Sequence, residues 1–156
     1  MRYAMIGAAL AATVLAAPAG AQEVTSTDPE AMAALLVQEG YRAKIETDNV
    51  GDPVIRSAAG GANFSIYFYG CEGGKDCTSI QFYTGWSTDT QFPLERMNQW
   101  NIDKRFSRGI VDEEGDPTLR FDLNLDMGGM SRELFLDNFS VWLSLMDSFE
   151  DFIDTQ

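Results

Sequence analysis

The sequence predicts an α+β domain, an antiparallel sheet with helices packed on one face, in the order α-ββ-ββ-α-ββ-α. Three observations lead there. Apolar residues alternate with polar ones at strand period in several short runs. Those runs are joined in pairs by Gly-, Asp- and Pro-rich turns, which makes them hairpins. Three other segments carry apolar stripes at helical spacing, and they stand before, between and after the hairpins.

The chain opens with Met1-Arg2-Tyr3, an alanine-rich apolar run from Ala4 to Ala17, and Pro18-Ala19-Gly20-Ala21. Small residues at Ala19 and Ala21 form an A-x-A cleavage site before Gln22, so residues 1–21 read as a secretory signal peptide. An uncleaved anchor is the rival reading. The apolar run is short for it, and the flank has the form of a cleavage site. The remaining segment, residues 22–156, is long enough for one domain with a hydrophobic core. It holds no run of ~20 apolar residues and no cysteine just after the cut for a lipid anchor. A periplasmic or secreted location follows, with no stable membrane insertion after cleavage.

In the first predicted helix Thr27 caps, Pro29 sits in the first turn and Glu30 completes a capping box. Ala31, Met32, Leu35 and Leu36 form its stripe, and Gly40 ends it. Residues 41–47 alternate as a strand with one wet face. Asp48-Asn49-Val50-Gly51-Asp52-Pro53 turns the chain into a return strand over 54–58. Residues 63–70 place Phe64, Ile66 and Phe68 on one face and Ser65, Tyr67 and Tyr69 on the other. Residues 78–86 place Ile80, Phe82 and Trp86 opposite Ser79, Gln81 and Tyr83. Pro93 opens a second helix reaching Lys104, with Leu94, Met97, Trp100 and Ile102 as its stripe. Strands over 105–112 and 118–126 form a hairpin about Glu113-Glu114-Gly115-Asp116-Pro117. Ser131 caps a last helix reaching about Ile153.

Cys71 and Cys77 flank a Gly-Gly turn. In an exported chain the pair reads as a disulfide, whose short loop contributes about 2 kcal/mol. If the cysteines face each other, Phe68 meets Ile80 and Ile66 meets Phe82 on the core face. Tyr69 then meets Ser79, Tyr67 meets Gln81 and Ser65 meets Tyr83 on the other.

The turn at Asp48–Pro53 has a counterpart at Asp112–Pro117, 64 residues on. At the same offset Pro29 matches Pro93 and Arg56 matches Arg120. Internal duplication explains this; so does convergence on a turn chemistry that suits Gly-Asp-Pro.

The formal net charge is −13; removing the leader takes Arg2 with it and leaves 10 basic and 24 acidic residues, a balance of −14. Such a chain repels nucleic acid and anionic membranes. An acidic surface suits solubility, or a basic partner. The basic residues are scattered in sequence apart from Lys104, Arg105 and Arg108.

With no histidine, the commonest general base and metal ligand is missing. The paired cysteines leave no thiol nucleophile, and no nucleophile elbow, P-loop or dinucleotide fingerprint occurs. Asp122, Asn124, Asp126 and Glu133 match four positions of a calcium loop, but Met127 stands where the loop needs glycine. Strand alternation through Phe121, Leu123 and Leu125 explains the same residues, so no metal and no cofactor is expected. The outer face of Tyr67, Tyr69, Gln81 and Tyr83 is the candidate binding surface. Its alternative reading is β-propensity, or packing under another element.

Met97-Asn98-Gln99-Trp100-Asn101, Arg105-Phe106, Asp112–Pro117, Phe121–Asp126 and Gly128-Gly129 resemble the YbjN family of bacterial sensory transduction regulators. In the first half, Gly40-Tyr41 and Asn63–Gly70 carry the same resemblance, which covers about residues 27–154. It implies a fold similar to the type III secretion chaperones, which bind polypeptide, and it brings no catalytic residues. The expectation is therefore an exported, non-enzymatic binding or chaperone-like protein with a polypeptide partner. A periplasmic enzyme using unassigned carboxylates and a structural envelope component are the alternatives. A homodimer is compatible with the sequence.

Overall fold

The computed structural model describes residues 23–155. The leader expected over 1–21 lies outside the described residues. Asp28, rather than Thr27, caps α1 (Pro29–Gln38): its Oδ1 accepts from the Ala31 amide at 2.9 Å. Pro29 occupies N1, so the capping residue is the one directly before it. The helix ends in a Schellman motif, with Gly40 N–H donating to Val37 O and Tyr41 N–H to Leu36 O. Gly40 takes the positive φ of +91° this motif requires.

Around α1 run β1 (Glu23–Val24), β2 (Lys44–Thr47), β3 (Pro53–Ala59), β4 (Ala62–Tyr69) and β5 (Ser79–Gly85). Then come α2 (Leu94–Asp103), β6 (Arg108–Val111), β7 (Pro117–Asn124), β8 (Met130–Ser131) and α3 (Arg132–Asp154). One antiparallel sheet of six strands has the order β2-β3-β4-β5-β7-β6, and the helices pack against it; β1 and β8 pair separately. The expected strand over 41–47 is shorter, because only residues from Lys44 onward pair with β3. Tyr41 and Ala43 pack instead against the core from the lead-in to that strand.

The two hairpins at the sheet's edges repeat each other at the offset of 64. Asp48 Oδ1 accepts from the amides of Val50, Gly51 and Asp52, and Asp112 Oδ1 accepts from those of Glu114 and Asp116. Register repeats as well: Lys44 faces Arg56, and Arg108 faces Arg120. The two hairpins share turn chemistry and register, as an internal duplication requires.

The core lies between the sheet and α3. Ser131 caps α3 by accepting from Leu134 N–H. Phe135, Phe139, Trp142, Met146, Phe149 and Ile153 form its buried stripe. Phe82 stacks on Trp142 with ring centroids 5.5 Å apart and on Phe139 at 6.0 Å. Farther along, Phe149 meets Trp100 of α2 at 4.7 Å. In α2 only Met97 and Trp100 are buried. Leu94 and Ile102 of the expected stripe are exposed, because a helix packed at a sheet edge needs one narrow contact. Asn101 closes that edge. Its amide donates to Gly109 O at 2.9 Å and accepts from Gly109 N–H at 2.8 Å, so the outward backbone groups of Gly109 are paired. Among the described residues no helix is long and apolar enough to cross a membrane.

Phe68 is fully buried on the core face of β4, so Phe68→Ala should cost about 3–5 kcal/mol in urea unfolding. Cys71 and Cys77 are joined at the β4–β5 turn, and replacing both by serine should cost only about 1–3 kcal/mol. A larger loss from the cysteine pair than from Phe68 would reverse this ranking.

Candidate binding face

Strand alternation sends every second residue away from the helices, and the register aligns these residues in rows across the sheet. One row reads Lys44, Arg56, Ser65, Tyr83, Arg120, Arg108, one residue from each of the six strands. The next reads Glu46, Val54, Tyr67, Gln81, Asp122, and a third Tyr69, Ser79, Asn124. The pairings of Tyr67 with Gln81, Tyr69 with Ser79 and Ser65 with Tyr83 are those the sequence predicts.

The nominated residues therefore share one face. The Tyr67 ring stands edge-on to Tyr83, with centroids 5.7 Å apart and planes at 84°, and lies 6.5 Å from Tyr69. An edge-to-face pair of this kind contributes about 0.5–1.5 kcal/mol beyond its area. Tyr69 is 45% exposed, whereas Tyr67 and Tyr83 are half-buried. Gln81 is buried, and its amide donates to Asp122 Oδ1. It braces the face rather than offering a free contact.

The residues that frame the tyrosines are cations. Arg56 donates to Ser65 Oγ at 2.7 Å and to the Tyr67 hydroxyl at 3.1 Å. Its guanidinium also lies 5.4 Å from the Tyr67 ring centroid. On the other side, the Arg120 guanidinium lies 5.5 Å from the Tyr83 ring centroid. Glu46 pairs with Lys44 at 2.8 Å and Arg56 at 3.3 Å, and Asp122 pairs with Arg108 at 3.1 Å. Hydrogen bonds from Lys44 first, then Arg56, hold the Glu46 carboxyl below its usual range. A groove of about 490 Å³ touches this row through Lys44, Arg56, Ser65 and Tyr83, with Arg42 and Asn63 at its rim.

The scattered cations thus converge. Among the outward residues of the paired strands, Lys44, Arg56, Arg108 and Arg120 outnumber Glu46 and Asp122, while Asp48, Asp112 and Glu114 of the two edge turns lie near Tyr69 and Tyr83. Sequence reading nominates the tyrosines and omits the arginines. The signal was present in the alternation of Arg120 with Leu119 and Phe121, and in the offset that matches Arg56 to Arg120.

The carboxylates of the calcium-like pattern are not brought together. Asp122 lies on the outer face, Asn124 Oδ1 accepts from Asp126 N–H, and Glu133 sits in the first turn of α3. Met127, at the missing glycine, takes a φ of +63° in the turn before β8. Among the described residues no group of three or more His, Cys, Asp or Glu side chains is disposed to hold a metal ion.

A family model described as "Putative bacterial sensory transduction regulator", YbjN, matches residues 28–155. The chain belongs to the YbjN family. Comparison with curated proteins and with solved structures returns no match. The matched span takes in all six strands of the YbjN-family sheet and so the whole outer face.

Burial raises the hydroxyl pKa of Tyr69 and Tyr83 above that of a free tyrosine. A raised pKa favours the neutral form in the fold. This stabilisation is complete below about pH 10 and lost as the pH rises through the folded-state value. Absorbance titration at alkaline pH should show a late-ionising fraction that shrinks in Tyr69→Phe and Tyr83→Phe. Ionisation of every tyrosine in a single step near pH 10 would contradict the geometry.

Proposed function

We propose that this protein is an exported, non-enzymatic binding protein whose open sheet face receives polypeptide in a chaperone-like role. The observation that carries the reading is the outer face: three tyrosine rings clustered on the side of the sheet away from the helices, framed by arginines. Tyrosine and arginine are the side chains that most often dominate protein contacts, because each joins large area to a directed polar group. Both are held in place here before any partner arrives, which lowers the ordering cost of binding.

Two further points support it. Membership of the YbjN family accords with a regulatory or binding role, and the likeness of fold to type III secretion chaperones that the family resemblance implies favours polypeptide as the bound class. Several carboxylates are employed in structure. Asp28 caps a helix, Asp48 and Asp112 build turns, Asp116 accepts from Thr88, and Glu46 and Asp122 tie down cations. The leader motif and the cystine support the periplasm as the place of action.

The test is a peptide array probed with protein recovered from the periplasm, where its intact mass should show a start at Gln22. The wild type should retain a defined subset of peptides. Tyr67→Ala combined with Tyr83→Ala should lose most of them, while its melting temperature falls far less than that of Phe68→Ala. Unchanged retention by the double variant would sink the assignment of this face, and a start at Met1 would sink export with cleavage.

A further inference from the structure

We infer that the segment received by this face is acidic: an extended polypeptide crossing the strands, whose carboxylates meet Arg120 and Arg56. This inference rests on the reading of the face as a polypeptide site.

The first argument is a rule of sheets that the face breaks twice. Like charges directly opposite on neighbouring strands repel. Lys44 stands opposite Arg56, and Arg108 stands opposite Arg120. Glu46 offsets the first pair, and Asp122 offsets Arg108. Arg120 is left over. Among the described residues it makes neither an ion pair nor a side-chain hydrogen bond, and its Nε is buried with no acceptor. A guanidinium stacked on Tyr83 without an anion is a site for one, since it offers a planar fork of donors that matches a carboxylate. Local rules broken in this way, without a compensating contact inside the fold, mark functional positions.

The second argument is the field. The paired strands carry four cations against two carboxylates on the outer face, whereas the rest of the chain is strongly negative, with Asp48, Asp112 and Glu114 of the edge turns near Tyr69 and Tyr83. An acidic segment is therefore drawn to the arginines beside the tyrosines rather than to the turns or the helices. A basic segment would be drawn instead to α3, where Glu133, Asp137, Asp147, Glu150, Asp151 and Asp154 face a single Arg132.

The third is spacing. Arg56 and Arg120 are on β3 and β7, separated by β4 and β5. Three strand intervals put their backbones roughly 14 Å apart. Both guanidiniums lean inward from there, Arg56 to the Tyr67 hydroxyl and Arg120 over the Tyr83 ring. An acidic segment lying across the central strands, over Tyr83 and Tyr67, meets both. Nucleic acid meets the two arginines but carries its charge everywhere, so the acidic remainder repels it.

The experiment uses three fluorescent probes at low ionic strength. They are a glycine-flanked Glu-Ala-Phe-Ala-Glu peptide, its Lys-Ala-Phe-Ala-Lys counterpart, and a single-stranded oligonucleotide. The glutamate peptide should bind, weakening as salt is added. Arg120→Gln should reduce that binding about tenfold, Arg120→Lys by less, and Arg56→Gln with Arg120→Gln should abolish it. Arg120→Gln should also fold with an unchanged or higher melting temperature, because a repulsive pair is relieved. Equal binding of the lysine peptide, tighter binding of the oligonucleotide, or indifference to Arg120→Gln would overturn the inference. Neutral or basic peptides retained on the array through Tyr67 and Tyr83 would overturn it while leaving the polypeptide site standing. No retained peptide at all would remove both.

Discussion

The contact between Phe82 and Trp142 is the constraint on which the rest of the structure depends. Phe82 lies in the middle of the sheet, and its ring meets Phe121, Phe135, Phe139 and Trp142. That pile holds α3 against one face of β4, β5 and β7. Side chains along a strand alternate strictly, so a covered face on one side defines an uncovered face on the other. Tyr67, Gln81 and Tyr83 face outward for the same reason that Ile66, Phe68 and Phe82 face inward. A slip of one residue in register would bury the tyrosines and expose the phenylalanines, at a cost no domain of this size could bear.

The repeated hairpins explain why the face has its charge. β2–β3 and β6–β7 occupy opposite edges of the sheet and share turn chemistry and register. Whatever one hairpin presents outward, the other presents in the equivalent place. Arg56 and Arg120 therefore flank the central tyrosines from either side, with Lys44 and Arg108 beyond them. The edges themselves are closed differently. α2 lays Asn101 along β6, whereas β2 is short and charged.

Much of this was legible in the residues. The β4–β5 register follows from two cysteines flanking a glycine turn, which leaves a single in-phase pairing of alternating strands. The α3 stripe was nearly as plain, because Phe135, Phe139, Trp142, Met146, Phe149 and Ile153 recur at helical spacing, although Leu145 rather than the expected Leu143 completes the buried set. Harder to see was anything decided across the sheet. The order β5-β7-β6 places the second strand of the last hairpin inside and the first at the edge, and no local pattern encodes that choice. Arg56 and Arg120 are far apart in the chain, so their convergence on the tyrosines depends on that order. Short-range competition accounts for the smaller differences. Asp28 outcompetes Thr27 as a cap because Pro29 fixes the first turn, and Leu94 and Ile102 stay in water because α2 touches the core along one line.

The face combines tyrosine rings that stabilise one another with a cation, Arg120, that has no partner within the fold. Oxidative footprinting of the free protein tests the central claim, that one face of the sheet is covered and the other open. Tyr69 and Tyr83 should be modified at early exposure times, while Phe68, Phe82 and Trp142 stay unmodified until the protein unfolds. Protection of both tyrosines in the free protein, to the level of Phe82, would contradict an open face.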